Sequence, residues 1–171
     1  MNRLNDLSGP PRVLSLRSES STKTMNIGRL FGSILPAGSA VSLEGGLGAG
    51  KTLFAGGICE GLGIKEEVLS PTFILLEEYK GLFPVLHFDL YRLEKIEDVR
   101  ELGLFDAADG RNVILVEWGD RLPDCVMEFD IHVDIKIIND DERRISFKGP
   151  DNLIRTLMED DIELDTFYNG N

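Results

Sequence analysis

Residues 45–52 read Gly45, Gly46, Leu47, Gly48, Ala49, Gly50, Lys51 and Thr52, and they match the pattern G-x-x-x-x-G-K-[ST] at every fixed position. A strand candidate from Ala40 to Leu43 precedes this loop, and Lys51 to Gly61 has helical spacing. Glycines let backbone N–H groups and the positive end of the following helix surround one phosphate. The motif therefore predicts a nucleoside triphosphate site, with Lys51 on the β and γ phosphates and the Thr52 hydroxyl as a Mg²⁺ ligand.

Strand and helix candidates alternate on both sides of this loop. On the N-terminal side, a short strand at Val13 to Leu16 leads to N-cap residues at Ser20 to Thr22, and apolar residues then recur at helical spacing up to Leu35. On the C-terminal side, the pattern predicts a helix at Ile96–Leu102 and strands at Phe73–Tyr79, Val85–Tyr91 and Asn112–Glu117. Such alternation is typical of helices packed on both faces of a sheet.

The last third of the chain predicts a β-hairpin followed by a helix. Apolar and polar residues alternate from Ile131 to Ile137, and Arg143 to Lys148 supplies a partner strand after Asp140 and Asp141. A helix is expected at Asn152–Met158. We therefore expect an α/β, P-loop NTPase-like three-layer sandwich with a mixed, mostly parallel central sheet and a C-terminal β-hairpin.

The length of 171 residues fits one compact domain. Residues 1–12 are polar, carry Gly9, Pro10 and Pro11, and are predicted to be a flexible leader. Residues 13–158 are predicted to form a single P-loop ATPase domain. Residues 159–171 form an acidic tail that we expect to be unstructured.

Composition and charge exclude several classes of protein. The chain is 42% apolar and 28% charged, as in soluble globular proteins, and no window approaches the ~20 apolar residues of a membrane span. A cytoplasmic location is therefore predicted. Lys and Arg number 18 against 30 Asp and Glu, so the net charge of −12 disfavours direct, tight binding of nucleic acid. Cys59 and Cys125 form no CxxC pair and are predicted to be reduced thiols.

Two acidic residues at strand ends are candidates for the metal side of the nucleotide site. Glu117 ends the apolar run Val113–Val116, and Asp89 follows Val85–Phe88 with His87 and Tyr91 on its face of the strand. P-loop folds place the second carboxylate near Mg²⁺ at such positions. The alternatives are a solvent-facing edge strand for the Asp89 segment and a loop-capping carboxylate for Glu117.

A turn at Ser70, Pro71, Thr72 and Phe73 follows the predicted loop helix. Nucleotide switches place a Ser or Thr that senses the γ-phosphate in such a segment. Pro71 favours a turn whether or not the segment is a switch, so an ordinary loop remains the alternative.

Taken in order, four stretches of the sequence resemble the TsaE (YjeE) family of bacterial ATPases. They are the loop Gly45–Thr52, Ser70-Pro71-Thr72-Phe73, His87-Phe88-Asp89-Leu90-Tyr91-Arg92 and Glu117-Trp118. The resemblance spans residues 13 to 148 and includes a Thr24 to Gly28 stretch similar to a helix start of the family. The loop departs from many members at Gly46, where they carry Asp.

The resemblance implies an ATPase that uses Mg²⁺ and supports threonylcarbamoylation of adenosine 37 in tRNAs reading codons that begin with A. It implies action through the TsaB and TsaD proteins, with tRNA contacted only indirectly through that complex and no membrane partner. ATP turnover would be weak alone and dependent on partners.

The resemblance also implies roles for residues around the phosphates. Thr52 and Glu117 look like the Mg²⁺ ligands, and Lys51 like the phosphate clamp. Asp89 is similar to a residue that positions water or reaches the metal through water. Thr72 would be the switch residue.

Three further positions are implied to lie near the nucleotide. Thr24 would lie near the base or ribose, and Trp118 would be an aromatic neighbour of the site. Arg143 would match an arginine near the nucleotide, although the adjacent Arg144 fits the same register.

Two other functions remain compatible with the residues. Short P-loop domains also phosphorylate small molecules, although this sequence shows no Arg-rich lid insertion. A non-catalytic switch, in which ATP orders Ser70 to Phe73 for a partner, is the second alternative.

Overall fold

The computed structural model describes residues 10–71, 73–92, 96–107, 110–122, 127–159 and 166–167. The strands are β1 (Pro11–Ser18), β2 (Ala40–Glu44), β3 (Leu76–Lys80), β4 (Pro84–Asp89), β5 (Val113–Glu117), β6 (Ile131–Ile137), β7 (Arg143–Pro150) and β8 (Thr166–Phe167). The helices are α1 (Ser21–Ile34), α2 (Lys51–Gly61), α3 (Ile96–Glu101), α4 (Leu104–Ala107) and α5 (Asp151–Glu159), with a short 3-10 helix at Gly119–Arg121.

One mixed sheet runs through the domain in the order β3-β4-β5-β2-β6-β7-β1-β8. Parallel pairing joins β4, β5, β2 and β6 at the centre, and the outer pairs are antiparallel. The α/β fold, the mixed sheet and the β6–β7 hairpin are confirmed. The expected predominance of parallel pairing holds only at the centre, because short connections such as residues 138–142 bring consecutive strands back antiparallel.

Two apolar cores on opposite faces of the sheet make the fold a three-layer sandwich. Strand β5 shows the division, since Val113 and Leu115 belong to the core under α1, α2 and α5. Ile114 and Val116 belong to the core that contains Val99 of α3. Burial on both faces explains why β5 is a continuous apolar run rather than an alternating one.

Local capping and turns set most element boundaries where the sequence predicts them. The Ser20 hydroxyl accepts a hydrogen bond from the Lys23 amide at 3.1 Å and begins α1, as predicted. The strand expected from Phe73 begins at Leu76, since residues 73–75 form a turn with Leu75 at a φ of 68°. The helix expected at Ile96–Leu102 is α3, which ends at Glu101, and Gly103, whose φ is 73°, separates it from α4.

The ends of the domain differ from the boundaries predicted by composition. Strand β1 begins at Pro11, inside the predicted leader, and pairs with β7 from its first residue. Thr166 and Phe167, inside the predicted tail, pair with β1 as β8. β8 covers Ser15 and Leu16 on the outer edge of β1, where unpaired backbone groups would otherwise be open to pairing with another chain. The rest of the tail beyond Glu159, and residues 1–9, lie outside the described residues.

Within the described part of the chain, none of the helices is long and apolar enough to cross a bilayer. Cys59 is a free thiol in the core, where burial raises its pKa to about 12, so it behaves as an apolar core residue. Cys125 lies outside the described residues.

Helices α1 and α2 pack with their backbones in direct contact. Each carries two glycines four residues apart on the facing side, at Gly28 and Gly32 of α1 and at Gly57 and Gly61 of α2. A Cβ atom on Gly28 would lie 2.6 Å from the Phe54 carbonyl oxygen, and one on Gly32 would lie 2.8 Å from Ile58 Cα. No side chain fits between the two helices at these positions. The helix that begins with Lys51 is thus fixed against α1.

We expect Gly32→Ala to lower the free energy of unfolding by about 2 kcal/mol or more, because overpacking forces the backbones apart. The matched control is Gly56→Ala in α2, where a Cβ would meet only side-chain atoms at 3.8 Å. That control should be neutral or gain up to about 1 kcal/mol from helix propensity. Urea denaturation measures both, and equal stability of Gly32→Ala and the native chain would contradict the packing argument.

Candidate nucleotide site

The loop between β2 and α2 turns on glycines at backbone angles that other residues rarely adopt. Gly45 has a φ of 130°, and a Cβ there would overlap the carbonyl oxygen of Ile135 on β6. Gly50 has a φ of 106° and directly precedes the first residue of α2. The loop therefore curls over the N-terminus of α2, where backbone N–H groups and the helix dipole favour an anion.

Lys51 lies against this loop and is only 5% exposed. Its Nζ donates to the carbonyl oxygens of Gly45 at 2.7 Å and Gly46 at 2.9 Å, and lies 3.6 Å from the centroid of the Trp118 ring. Burial lowers the pKa of the Lys51 ammonium, and the carboxylates of Glu117 and Asp89 oppose that shift. The predicted phosphate clamp is thus held at the loop by defined contacts.

Thr52 and Glu117 meet although they are 65 residues apart in the chain. Glu117 ends β5 opposite Leu43 of β2, and the Thr52 hydroxyl donates to Glu117 Oε2 at 3.1 Å. Because that hydroxyl hydrogen points at the carboxylate, its lone pairs remain available to a cation. Glu117 therefore contacts the first turn of α2, next to the loop, where the sequence predicted a Mg²⁺ ligand.

The strand that carries Asp89 is an inner strand, which contradicts the alternative of a solvent-facing edge. Strand β4 lies between β3 and β5, Asp89 pairs with Glu117, and both His87 and Asp89 are buried. The His87 Nε2 lies 3.0 Å from Glu117 Oε1. The polar face of β4 is thus directed at the loop rather than at solvent.

Asp89 connects the end of β4 to the predicted switch segment. Its Oδ2 accepts a hydrogen bond from the Ser70 hydroxyl at 3.1 Å, and its Oδ1 accepts one from the Tyr91 amide at 2.8 Å. Thr72 lies outside the described residues. The segment that begins at Ser70 is therefore joined to the carboxylate predicted to position water.

A first cavity of about 290 Å³ contains the predicted phosphate and metal residues. It is lined by loop residues 47–53 together with Ser70, Asp89, Tyr91, Glu117 and Trp118. Trp118 adopts a φ of 63°, and its ring lies 5.1 Å from that of Tyr91. Arg121, which the sequence did not single out, donates to the Tyr91 carbonyl and lies 5.3 Å from the Trp118 ring centroid. Aromatic rings therefore form one side of this cavity.

A second cavity of about 270 Å³ lies on the other side of the loop. Its lining contains Ser21, Thr24, residues 48–50, Leu53, Asp140, Asp141 and Arg143. The Thr24 hydroxyl is 2.8 Å from the hydroxyl of Ser18, which orients it at the start of α1. Thr24, expected near the base or ribose, and Arg143, expected near the nucleotide, thus line the same cavity, whereas Trp118 lines the first cavity. The sequence patterns did not predict Ser21, Asp140 or Asp141 as residues of the site.

Arg143 fastens the β6–β7 turn to the loop. Its Nε donates to the Ala49 carbonyl oxygen at 3.2 Å, and its Nη1 donates to the carbonyl oxygens of Asn139 at 2.8 Å and Asp140 at 3.2 Å. Arg144, the next residue of β7, pairs with Arg17 and Lys136 and does not line this cavity. The geometry therefore places Arg143, and not Arg144, beside the loop at residues 45–50.

The oxygen donors at the first cavity fit a hard divalent cation. The Thr52 hydroxyl and the Glu117 and Asp89 carboxylates supply oxygen atoms, the ligands that Mg²⁺ takes in proteins. In the described ranges, no three His, Cys, Asp or Glu side chains are grouped to hold a metal by themselves. Such a donor set suits Mg²⁺, which is bound through one or two carboxylates plus substrate phosphates.

Comparison with known proteins identifies the family. Residues 18–145 match the family model described as threonylcarbamoyl adenosine biosynthesis protein TsaE. The chain belongs to the TsaE family. The matched range contains the loop, Asp89, Glu117 and Arg143, so the TsaE-family match covers both cavities.

Individual members of the TsaE family are similar to this chain over most of their own length. The tRNA threonylcarbamoyladenosine biosynthesis protein TsaE of Treponema pallidum (strain Nichols) is 39% identical over 129 residues, covering 75% of this chain and 96% of the relative. The protein of the same name from Bacillus subtilis (strain 168) is 37% identical over 150 residues, covering 87% and 94%. The crystal structure of Bacillus subtilis YdiB is similar with a TM-score of 0.68 and 34% identity, covering 90% of this chain and 96% of that one.

We expect Arg143→Ala to weaken the affinity for a non-hydrolysable ATP analogue about tenfold. Hydrogen bonds from a charged donor are worth about 1.5–3 kcal/mol, and about 1.4 kcal/mol is a factor of ten. The matched control, Arg144→Ala, removes the same charge outside the cavity and should stay within twofold of the native chain. Titration calorimetry distinguishes the two, and equal losses in both variants would show that only net charge matters.

Proposed function

We propose that this chain binds and hydrolyses ATP with Mg²⁺ and serves in threonylcarbamoylation of adenosine 37 of tRNAs that read codons beginning with A. It acts through the TsaB–TsaD complex and contacts tRNA only through that complex. The coarser part of this proposal, a role in tRNA threonylcarbamoyladenosine biosynthesis, is supported by membership of the TsaE family and by relatives that carry that name.

One observation carries the ATPase part of the proposal. The first cavity brings together Lys51 and Thr52 from the loop with Asp89 and Glu117 from the ends of two inner strands. These side chains supply a cation, a hydroxyl and two carboxylates around one cavity of about 290 Å³. Phosphoryl transfer needs this combination, since it depends on positioning and on stabilising charge at the phosphate oxygens.

The residues divide the chemistry between them. Loop N–H groups and Lys51 hold the phosphates, while Thr52 and Glu117 would hold Mg²⁺. That ion neutralises charge on the phosphate oxygens when bound. Asp89 is buried and fixed by Ser70 and by the Tyr91 amide, so its carboxylate has the restricted geometry needed to orient a water molecule. The aromatic rings of Trp118 and Tyr91 line one side of the cavity.

The charge of the chain supports a role through protein partners. With a net charge of −12, the chain as a whole repels a phosphate backbone, and an accessory ATPase has no need to grip tRNA itself. Hydrolysis that depends on TsaB and TsaD agrees with a site in which Ser70 and Asp89 couple the catalytic end of β4 to a surface segment.

Inorganic phosphate release from Mg-ATP tests the central claim. We expect slow release by the chain alone, faster release with TsaB and TsaD, and none above background for Lys51→Ala, which loses the phosphate clamp. Absence of release under both conditions would overturn the ATPase reading in favour of a nucleotide switch. Detection of a phosphorylated small molecule would instead establish a kinase.

The isosteric variant Glu117→Gln tests whether the function requires ATP hydrolysis or only ATP binding. Its amide oxygen can still accept the Thr52 hydrogen bond, but the negative charge beside the metal is lost. We expect phosphate release to fall at least about tenfold, because a proposed Mg²⁺ ligand loses its charge and even the groups that only orient such ligands are worth about 10–100-fold, with nucleotide affinity within a few-fold. Threonylcarbamoylation in a reconstituted assay should fall in parallel. Intact modification and intact partner binding in this variant would show that hydrolysis is dispensable and that ATP acts as a switch.

A further inference from the structure

His87 is a buried polar residue that the proposed chemistry does not yet use. It lies on β4 between Val85 and Asp89 along the same face, and its side chain is fully buried. The Nε2 atom lies 3.0 Å from Glu117 Oε1. The other ring nitrogen, Nδ1, is buried and has no hydrogen-bond partner among the described residues.

The contact with Glu117 decides which ring nitrogen carries the hydrogen. An ionised carboxylate only accepts hydrogen bonds, so the hydrogen lies on Nε2 and the ring donates to Oε1. A hydrogen on Nδ1 would be a buried donor without an acceptor, which is unfavourable. The His87 imidazole therefore makes one hydrogen bond, which it donates to the carboxylate of Glu117, the proposed metal ligand.

Packing alone gives no reason for a histidine at this position. Val85 precedes it on the same face, and the residue opposite it on β5 is Leu115, and both are fully buried apolar side chains. An apolar residue would fill the same space. It would also avoid the free-energy penalty of burying the Nδ1 atom without a hydrogen bond. The hydrogen bond that Nε2 donates to Glu117 is therefore the reason for a histidine at this position.

We propose that His87 is a positioning residue that fixes the Glu117 carboxylate for the metal ion, an inference that rests on the proposed Mg-ATP function. The hydrogen bond to Oε1 stops rotation of the carboxylate and directs Oε2 at the Thr52 hydroxyl. The Tyr79 ring lies 6.5 Å from the imidazole, tilted by 36°, and closes the space beside it. Partners that orient a metal ligand in this way change metal affinity by about 10–100-fold.

The test compares two substitutions in the full chain. His87→Leu keeps similar bulk and removes the donor, whereas His87→Gln restores an N–H donor near the position of Nε2. The control is His132→Leu, because His132 is the second histidine of the chain and is half-exposed beside Glu44, outside both cavities. Electron paramagnetic resonance of Mn²⁺, titrated with a non-hydrolysable ATP analogue, reads metal affinity without hydrolysis. Nucleotide affinity in EDTA and urea denaturation are measured alongside.

We expect His87→Leu to weaken Mn²⁺ binding on the order of tenfold, with metal-free nucleotide affinity within twofold, and His87→Gln to recover most of the loss. His132→Leu should bind Mn²⁺ like the native chain. Unchanged Mn²⁺ affinity in a folded His87→Leu overturns the inference and leaves the proposed function standing. Equal loss in His87→Gln and His87→Leu, in step with lost stability, assigns His87 a purely structural role and also overturns it. A native chain without nucleotide-dependent Mn²⁺ binding overturns the proposed function, and the inference with it.

Discussion

Asp89 lies opposite Glu117, and Glu117 lies opposite Leu43, two residues before the nucleotide loop begins. This register of three parallel strands is the constraint on which the site depends, because the carboxyl ends of parallel strands lie along one edge of the sheet. A slip of one residue in β5 would turn Glu117 to the opposite face and replace it with an apolar side chain. The register of the sheet therefore sets the positions of both carboxylates relative to the loop.

Local patterns in the sequence predict the elements well because each rests on neighbouring residues. The helix Lys51–Gly61, the N-cap at Ser20 and the β6–β7 hairpin follow from spacing, capping and alternation. Periodicity gives the faces of a strand but not its neighbours. The pairing of β1 with β7, more than a hundred residues away, is thus not predictable from local pattern. The same holds for the antiparallel direction of the outer strand pairs.

The candidate site divides in the same way. The loop residues form one contiguous motif, and the two strand-end carboxylates follow from the fold class. The contacts of Arg121 with Tyr91 and of His87 with Glu117 depend on side chains that meet only after the sheet has formed. The glycine spacing of α1 and α2 was visible in the sequence, but its meaning depends on which two helices face each other. The resemblance to a family supplied Thr24 and Arg143, which no spacing rule would have joined.

The direct contact between α1 and α2 also has a mechanical consequence. Side chains between helices normally change rotamer and absorb small displacements, but at Gly28, Gly32, Gly57 and Gly61 one backbone touches the other. Because α2 begins at Lys51 and α1 carries Thr24, this direct contact fixes the wall of one cavity relative to the wall of the other.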